Sequence, residues 1–207
     1  MMPDIIQLLL IFKKLFNIMD NNNKIVSFED EPLILVDEND NEIGYLTKDL
    51  CHKGMGILHR AFSIFLFNDK MDLVLQRRSS DKLLWGDYWS NTVCSHPRKG
   101  ETLEIATKRR LEDELGITAE LTHLFKFQYQ AKFKNLGSEH ELCHVFIGRH
   151  NGLYFPNPNE IKDLMLIPFD EVEVELKRNE KLYTPWFKME WASIIKDYKK
   201  EIHNLFK

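Results

Sequence analysis

Residues 101–117 read ETLEIATKRRLEDELGI. The secondary structure of this stretch decides which class of fold the strands around it can form. Pro97 and Gly100 break the chain shortly before it, and residues 101–115 have the composition of a helix. Gly116 stands where a left-handed C-cap glycine would end that helix. The stretch therefore predicts one helix inserted into a part of the chain that is otherwise rich in strands.

Strands are predicted on both sides of this helix, and helices are predicted at the end of the chain. Apolar or alternating runs indicate strands at residues 33–36, 61–67, 73–77, 89–94, 124–133 and 139–147. Turn-forming residues at 37–41 and 68–70 predict hairpins. Helices are predicted over residues 168–180 and 186–206. This order favours an α+β fold built from packed layers.

Length and composition favour one globular domain. The 207 residues are 43% hydrophobic and 29% charged, which suffices for a sizeable core. We expect this domain over residues 31–207, after an N-terminal extension over residues 1–30. Residues 5–12 are apolar except for Gln7, but they are too few to span a bilayer and lack the preceding cations of a signal peptide. An amphipathic helix is therefore favoured there, and we predict no membrane span.

Charge and cysteine content limit which partners the protein is expected to bind and which cellular compartment it is expected to occupy. The net charge of -4 argues against a nucleic-acid partner, whereas a small anion needs only a few local cations. The three cysteines, Cys51, Cys94 and Cys143, are too few and odd in number for a disulfide framework. We therefore expect a reducing, cytoplasmic compartment. The sequence leaves the oligomeric state open and is compatible with a monomer.

Three histidines and two glutamates could together bind a metal ion. His52 and His59 are seven residues apart, and His96 follows a predicted strand. Glu139 and Glu141 share one face of another strand, where two carboxylates repel each other unless a cation or proton intervenes. Imidazole and carboxylate groups suit divalent transition metals. The alternatives are scattered polar histidines and an edge strand with a solvated face.

The central helix and the strand before it offer a second group of candidates. Arg110 and Glu114 are four residues apart and share one face of the helix. They could form a surface ion pair, or Glu114 could hold Mg²⁺ beside a diphosphate that Arg110 contacts. Cys94 lies just ahead of the helix and two residues before His96. It could be a small buried hydrophobe or a reactive thiol.

Four short motifs, taken in this order, resemble a known enzyme family. They are residues 58–63 (LHRAFS), 91–97 (NTVCSHP), 139–141 (EHE) and 184–187 (TPWF). Each motif alone is weak, but the set is specific, and the similarity runs from about residue 33 to residue 186, which is most of the chain. The set resembles the type I isopentenyl-diphosphate isomerases, which belong to the Nudix superfamily.

The helix also resembles the Nudix box, whose pattern is G-x5-E-x7-R-E-U-x-E-E-x-G-U with U apolar. The matching residues are Glu101, Arg109, Leu111, Glu114, Gly116 and Ile117. Ser95 replaces the first Gly, Arg110 replaces the Glu after Arg, and Asp113 replaces the first of the paired Glu residues. Arg110 reverses a charge in the cluster with which hydrolases bind cations. This departure argues against diphosphate hydrolysis and agrees with the isomerase branch.

The resemblance implies a fold and a reaction. The fold would be a Nudix-type α/β/α sandwich with a mixed sheet and additional N- and C-terminal helices. The reaction would interconvert isopentenyl diphosphate and dimethylallyl diphosphate, in isoprenoid biosynthesis. It would proceed by protonation and deprotonation through a carbocation-like intermediate, with isopentenyl diphosphate as the small-molecule substrate.

The resemblance also implies roles at matching positions. One divalent transition metal, Zn²⁺ or Mn²⁺, would be bound by His52, His59, His96, Glu139 and Glu141. Mg²⁺ would be held with the diphosphate by Glu114 and the backbone carbonyl of Cys94. The diphosphate oxygens would contact Lys48, Arg78, Lys82 and Arg110. Cys94 and Glu141 would move protons on opposite sides of the hydrocarbon, with Tyr129 near Glu141 and Trp186 facing the reacting carbons.

Two other functions compete with this one. A Nudix hydrolase would release phosphate or a nucleoside monophosphate from a nucleoside diphosphate compound. A non-catalytic binding module on the same fold would have lost key polar residues, yet each expected one is present in this sequence.

Overall fold

The computed structural model describes residues 23–207, whose nine strands form one mixed sheet. The strands are β1 Pro32–Val36, β2 Glu42–Thr47, β3 His59–Phe67, β4 Asp72–Arg78, β5 Trp89–Ser90, β6 Val93–Ser95, β7 Leu121–Phe133, β8 Gly137–Arg149 and β9 Ile161–Pro168. The helices are α1 Lys48–Cys51, α2 Leu103–Leu115, α3 Val172–Arg178, α4 Pro185–Asp197 and α5 Lys199–Asn204. Short 3₁₀ turns at Phe169–Glu171 and Glu180–Leu182 complete the structure.

Strand β3 is the centre of the sheet, and helices cover both of its faces. It pairs antiparallel with β1, β4 and β6 and parallel with β8. Successive side chains of a strand point to opposite faces. Phe65 packs in one core with Trp191 of α4, and Ile64 packs in the other with Leu111 of α2. The predicted α+β class and the helix–sheet–helix layering are therefore confirmed.

Helix α2 begins and ends where its local sequence indicates. The Thr102 side chain accepts a hydrogen bond from the Ile105 amide, so this residue caps the first turn. At the other end Gly116 has φ 63°, a left-handed conformation that costs glycine little. The predicted helix is thus confirmed, with Glu101 just before its cap.

The strand predicted at residues 89–94 is wrong, since two short strands, β5 and β6, are found instead. The buried side chains between them bond to backbone atoms of other strands. Thr92 Oγ1 accepts from the Leu66 amide and donates to the Val74 carbonyl. The side-chain amide of Asn91 donates a hydrogen bond to the Val93 carbonyl at 2.6 Å. These contacts interrupt the strand at residues 91 and 92, so β5 and β6 do not form one continuous strand.

Two strands were not predicted, and the C-terminal helices are more divided than predicted. Among the described residues, strand β9 pairs only with β4 and is exposed at half of its positions, so its sequence shows little alternation. Strand β2 likewise follows the 37–41 hairpin at an open edge. The first predicted C-terminal helix starts after β9 as a 3₁₀ turn and continues as α3, and the second is divided at Tyr198 into α4 and α5.

The predicted amphipathic helix at residues 5–12 lies outside the described residues, so the helical N-terminal extension stays a prediction. Residues 23–30 are described, and they run as turns and irregular chain beside the cavity introduced below. Along residues 23–207, no helix is long and apolar enough to cross a membrane.

Candidate active site

Strand register places three candidate residues in one row of the sheet. His59 on β3 is opposite Glu141 on β8, and Tyr129 on β7 is opposite the same glutamate. Glu139 lies two positions earlier on β8 and therefore points to the same face. Because β8 has β3 on one side and β7 on the other, the alternative of a solvated edge strand is wrong.

The end of a helix and the end of a strand bring the remaining histidines to this row. His52 is the C-cap residue of α1, and His96 follows β6 directly. The His52 and His59 ring centroids are 5.1 Å apart, and those of His59 and His96 are 4.8 Å apart. One ligand atom from each of five side chains lies within 4.8 Å of all the others: His52, His59, His96, Glu139 and Glu141. The alternative of scattered histidines is therefore wrong.

Two of the three histidines, His59 and His96, are held in a state that suits metal binding. His59 is fully buried, and its Nδ1 lies 2.7 Å from the Ile57 carbonyl, which can only accept a hydrogen bond. This contact puts the ring proton on Nδ1 and leaves the Nε2 lone pair facing the cluster. Burial lowers the pKa of His59 well below its usual value and that of His96 to about 3. Neutral imidazole is the form that binds a metal.

The two glutamates of the cluster differ in their surroundings. Burial raises the pKa of both, but the contact with His52 at 2.8 Å outweighs it at Glu139, whose pKa is lowered. Burial and the charge of Glu139 raise the pKa of Glu141 well above its usual value. Glu141 accepts a hydrogen bond from the Tyr129 hydroxyl at 2.7 Å and contacts His96 at 2.9 Å. Glu141 is thus the carboxyl group that readily holds a proton.

The cluster has enclosed polar atoms that the described residues leave without a hydrogen bond. Within residues 23–207 these include Nε2 of His52, Nε2 of His59 and Oε2 of Glu139. His52 Nε2 and Glu139 Oε2 are 2.8 Å apart but are not aligned for a hydrogen bond. Enclosed groups without partners are costly, and a shared cation would satisfy all of them. Three imidazoles and two carboxylates therefore suit a divalent metal ion.

Gly137→Ala is expected to destabilise the fold by about 1–3 kcal/mol, because the new methyl group would clash with the backbone of His52, a residue of the cluster. A Cβ at Gly137 would lie 2.5 Å from the carbonyl oxygen of His52. The same carbonyl accepts a hydrogen bond from the Ser138 amide, so β8 cannot move away from His52 without losing this bond. Thermal unfolding with and without added divalent metal measures the effect. Gly54→Ala separates contact from backbone strain, since its Cβ meets nothing within 4 Å and any loss there comes from its left-handed φ of 64°.

A cavity of about 430 Å³ opens beside the cluster and brings together the other predicted site residues except Glu114. Its lining includes the carboxylates of the cluster, the Cys94 thiol, the Tyr129 ring and the Trp186 ring. Four cationic side chains also line it: Lys48, Arg78, Lys82 and Arg110. A pocket with clustered cations and an aromatic wall suits a small anion that has an apolar part.

Arg110 belongs to a buried network of charges, so the alternative of a surface ion pair is wrong. Its Nη2 atom lies 2.6 Å from Glu114 Oε1 and 2.9 Å from Glu160 Oε2. The Arg110 and Glu114 side chains are 3% and 2% exposed. Glu160 also binds Lys82 and lines the cavity, whereas Glu114 is not among the lining residues.

The Cys94 thiol and the Trp186 ring both contact Arg78. Arg78 Nη1 lies 3.2 Å from Cys94 Sγ, and the guanidinium lies 5.2 Å from the centre of the Trp186 ring. Burial raises the pKa of Cys94 to about 11, although the charge of Arg78 acts against this. Trp186 is 3% exposed, and its indole donates to the Asn91 side chain at 3.2 Å. Trp186 is therefore at once a core residue and part of the cavity wall.

Some residues of the site could not be found from the sequence. Glu160 carries no motif, and only the turn-forming residues 157–159 before it mark the place. Ser27 and Glu29 line the cavity and both contact the Lys48 ammonium. Asn91 lies within the motif at residues 91–97, yet its role in holding Trp186 was not predicted.

Comparison with known proteins assigns the family. The NUDIX domain model matches residues 57–187. Isopentenyl-diphosphate Delta-isomerase 1 of Photorhabdus laumondii is 45% identical over 170 residues, which cover 81% of this chain and 97% of that protein. The mouse protein of the same name is 40% identical over 190 residues, covering 81% of this chain and 84% of that one.

Solved structures agree on the fold. The crystal structure of the Deinococcus radiodurans protein DR0079 matches 86% of this chain with a TM-score of 0.61 at 21% identity. The MutT protein of Methanosarcina mazei matches 69% with a TM-score of 0.56 at 15% identity. The layered sheet with the α2 helix is thus the NUDIX fold. The sequence relatives show which group within the NUDIX family this chain resembles. The chain belongs to the isopentenyl-diphosphate Delta-isomerases of the NUDIX family.

Proposed function

We propose that this chain interconverts isopentenyl diphosphate and dimethylallyl diphosphate by proton transfer. The observation that carries the proposal is the content of one cavity, in which Cys94, Glu141 and Trp186 share the lining with four cations. The cations suit the diphosphate, and the thiol, the carboxyl group and the indole suit the hydrocarbon. The relatives named above carry this activity in their names.

The reaction is balanced with two protons. One proton is added to the terminal CH₂ of the alkene, which leaves a tertiary carbocation-like species. A second proton then leaves the CH₂ group two carbons away, and its C–H bond pair forms the new double bond. Cys94 and Glu141 are the proton donor and the proton acceptor between them, one on each face of the alkene. A cavity that excludes water protects the cation from capture.

The residues around each proton carrier support this role. Arg78 lies beside the Cys94 thiol and can offset a thiolate that forms during the reaction. Tyr129 donates a hydrogen bond to Glu141, which orients the carboxyl group and stabilises its charged form. Both groups carry perturbed pKa values in a cleft, as residues with catalytic roles often do.

We further propose that the histidine–glutamate cluster binds Zn²⁺ or Mn²⁺, and that Glu114 and the Cys94 carbonyl hold Mg²⁺ with the substrate. A cation bound at the cluster would offset the charge of Glu139 and change the proton affinity of Glu141. His59 and His96, both neutral in their surroundings, would serve as ligands. Lys48, Arg78, Lys82 and Arg110 would anchor the diphosphate.

The test incubates the purified protein with isopentenyl diphosphate and Mg²⁺ in deuterated water, and follows the products by NMR. Dimethylallyl diphosphate with deuterium in a methyl group is expected. The metal content of the protein is measured in the same sample. An unchanged substrate, with divalent metal present at one equivalent or more, would contradict the proposal.

The rival hydrolase activity has a distinct readout. A NUDIX hydrolase would release phosphate or a nucleoside monophosphate from nucleoside diphosphate compounds. Arg110 argues against it, because a positively charged residue stands where the hydrolase pattern has a glutamate that binds cations. Phosphate release from a panel of nucleoside diphosphate compounds is therefore expected to stay at background.

Trp186→Phe is expected to retain more turnover than Trp186→Ala. An aromatic face stabilises a nearby cation by about 2 kcal/mol or more when water is excluded, and phenylalanine keeps part of this effect. The steady-state rate with isopentenyl diphosphate measures the difference. Trp191→Phe provides the control, since Trp191 is a buried tryptophan that does not line the cavity. Equal turnover in the Phe and Ala variants would remove the cation-stabilising role.

A further inference from the structure

We propose that Glu160 is a positioning residue that holds Lys82 and Arg110 at the diphosphate end of the cavity. The inference rests on the proposed function, because it takes diphosphate as the anion that these two cations bind. Glu160 itself would not contact the reacting carbons. Its role would be to fix and keep charged the cations that contact the substrate.

The Glu160 side chain joins the two cations directly. Its Oε2 atom accepts hydrogen bonds from Lys82 and, at 2.9 Å, from Arg110. The side chain is 3% exposed, yet it forms part of the cavity lining. Arg110 has a second carboxylate partner in Glu114. Within the described part of the chain, Glu160 is the one side chain that the Lys82 ammonium bonds to.

The Glu160 backbone is fixed by the same loops that carry the cations. Its carbonyl accepts from the Ser79 amide at 2.9 Å, and Ser79 follows the cavity-lining Arg78. Its amide donates to the Asn157 carbonyl at 2.9 Å. Asn157 is tied in turn to the end of α2, since its amide donates to the Glu114 carbonyl at 2.8 Å. One residue thus links the Arg78–Lys82 loop, helix α2 and strand β9.

The charges in this network make Glu160 necessary. Lys82 and Arg110 would repel each other and lose solvation if they stood alone in a partly enclosed cavity. Burial lowers the pKa of Lys82, and the charge of Glu160 opposes this. The carboxylates of Glu114 and Glu160 balance the charge of the two cations and hold both of them in fixed positions at the cavity. An anion that enters then finds donors already in place.

A purely structural role for Glu160 predicts a different pattern of effects. In that case Glu160→Gln would lower the melting temperature and would leave the affinity of the folded protein for diphosphate unchanged. A positioning role predicts weaker diphosphate binding by the folded protein, and it predicts that the loss depends on Lys82.

The experiment titrates inorganic diphosphate with Mg²⁺ into the full-length protein by calorimetry. Glu160→Gln is expected to weaken binding about tenfold or more, the usual size for a lost charge-assisted contact. Glu160→Asp, which keeps the charge on a shorter side chain, is expected to be intermediate. Glu175→Gln is the matched control, because that carboxylate accepts hydrogen bonds from Tyr183 and Asn179 outside the cavity lining. It is expected to bind as the unmodified protein does.

A double-mutant cycle with Lys82→Met identifies the route of the effect. The double variant is expected to lose less binding than the sum of the two single losses, because both changes remove the Lys82–Glu160 contact and only Glu160→Gln alters the contact with Arg110. With isopentenyl diphosphate, Glu160→Gln is expected to raise KM more than it lowers kcat. Additive losses, or Glu160→Gln binding within twofold of the unmodified protein, would overturn the inference. If Glu160→Gln does not fold, the same criteria apply to Glu160→Asp.

Failure of the inference and failure of the proposed function are separable. A protein that binds diphosphate in the expected manner but leaves isopentenyl diphosphate unchanged contradicts the isomerase activity and supports the role of Glu160. A protein that isomerises the substrate while Glu160→Gln and Glu160→Asp bind diphosphate normally supports the activity and overturns the role.

Discussion

Cys94→Ala is expected to reduce turnover of isopentenyl diphosphate by about 10²- to 10⁴-fold, which is the usual contribution of a positioned proton-transfer group. The thiol lines the cavity and lies 3.2 Å from the guanidinium of Arg78. Since burial raises its pKa to about 11, the substrate-free chain carries a protonated thiol at neutral pH. Alanine has no proton to give or accept, and the change removes only one sulfur atom. NMR of substrate and product at saturating substrate measures the loss.

Cys143→Ala is the matched control for this prediction. Cys143 is a second buried cysteine, on β8, and its sulfur faces Ser63 and Glu190 rather than the cavity. This variant is expected to keep turnover close to that of the unmodified protein, with some loss of thermal stability from the small void. Near-normal turnover in Cys94→Ala, with a normal melting temperature, would exclude the thiol from proton transfer.

Glu141→Gln is expected to reduce turnover at least as strongly, because one residue is proposed both to move a proton and to bind the metal. The glutamine amide keeps the size of the side chain and can still receive the hydrogen bond of Tyr129. It cannot release or take up a proton near neutral pH, so a loss of about 10²- to 10⁴-fold is expected from proton transfer alone. Steady-state turnover and metal content are measured on the same preparation.

The metal measurement separates the two roles of Glu141. Metal content at the level of the unmodified protein with turnover lost would assign the effect to the proton, whereas loss of both would assign part of it to metal binding. The Glu175→Gln control is expected to keep both. Turnover within a few-fold of the unmodified protein would contradict the role of Glu141 in proton transfer.

Local sequence was sufficient where short-range chemistry decides the structure. Thr102 and Gly116 set the two ends of α2, because a cap depends on a few neighbouring residues. The buried run of β3 was recognisable because a central strand is apolar on both faces. Strand β9 was missed, since a half-exposed edge strand has little alternation to detect. The break at Asn91 and Thr92 was missed because both side chains also bond to backbone atoms of the distant strands β3 and β4.

The candidate site divides in the same way. The types and the order of its residues were present in the sequence, and their resemblance to one family was enough to propose the ligands and the proton carriers. Glu160 was not proposed, because its importance comes from the pairing of β9 with β4, which brings it to Lys82 and Arg110. The position of Ser27 and Glu29 at the cavity was equally hidden, as they meet Lys48 across an irregular segment.

The sequence alone thus determined the family, the α+β class and the set of side chains able to do the chemistry. Only the tertiary structure decided between the alternatives that the sequence left open. Arg110 is in a buried network rather than on the surface, and β8 is an interior strand rather than an edge. The physical reason is that burial and convergence depend on strand register and packing between distant segments. His96 and Glu141 are 45 residues apart, and no local pattern encodes the 2.9 Å between them.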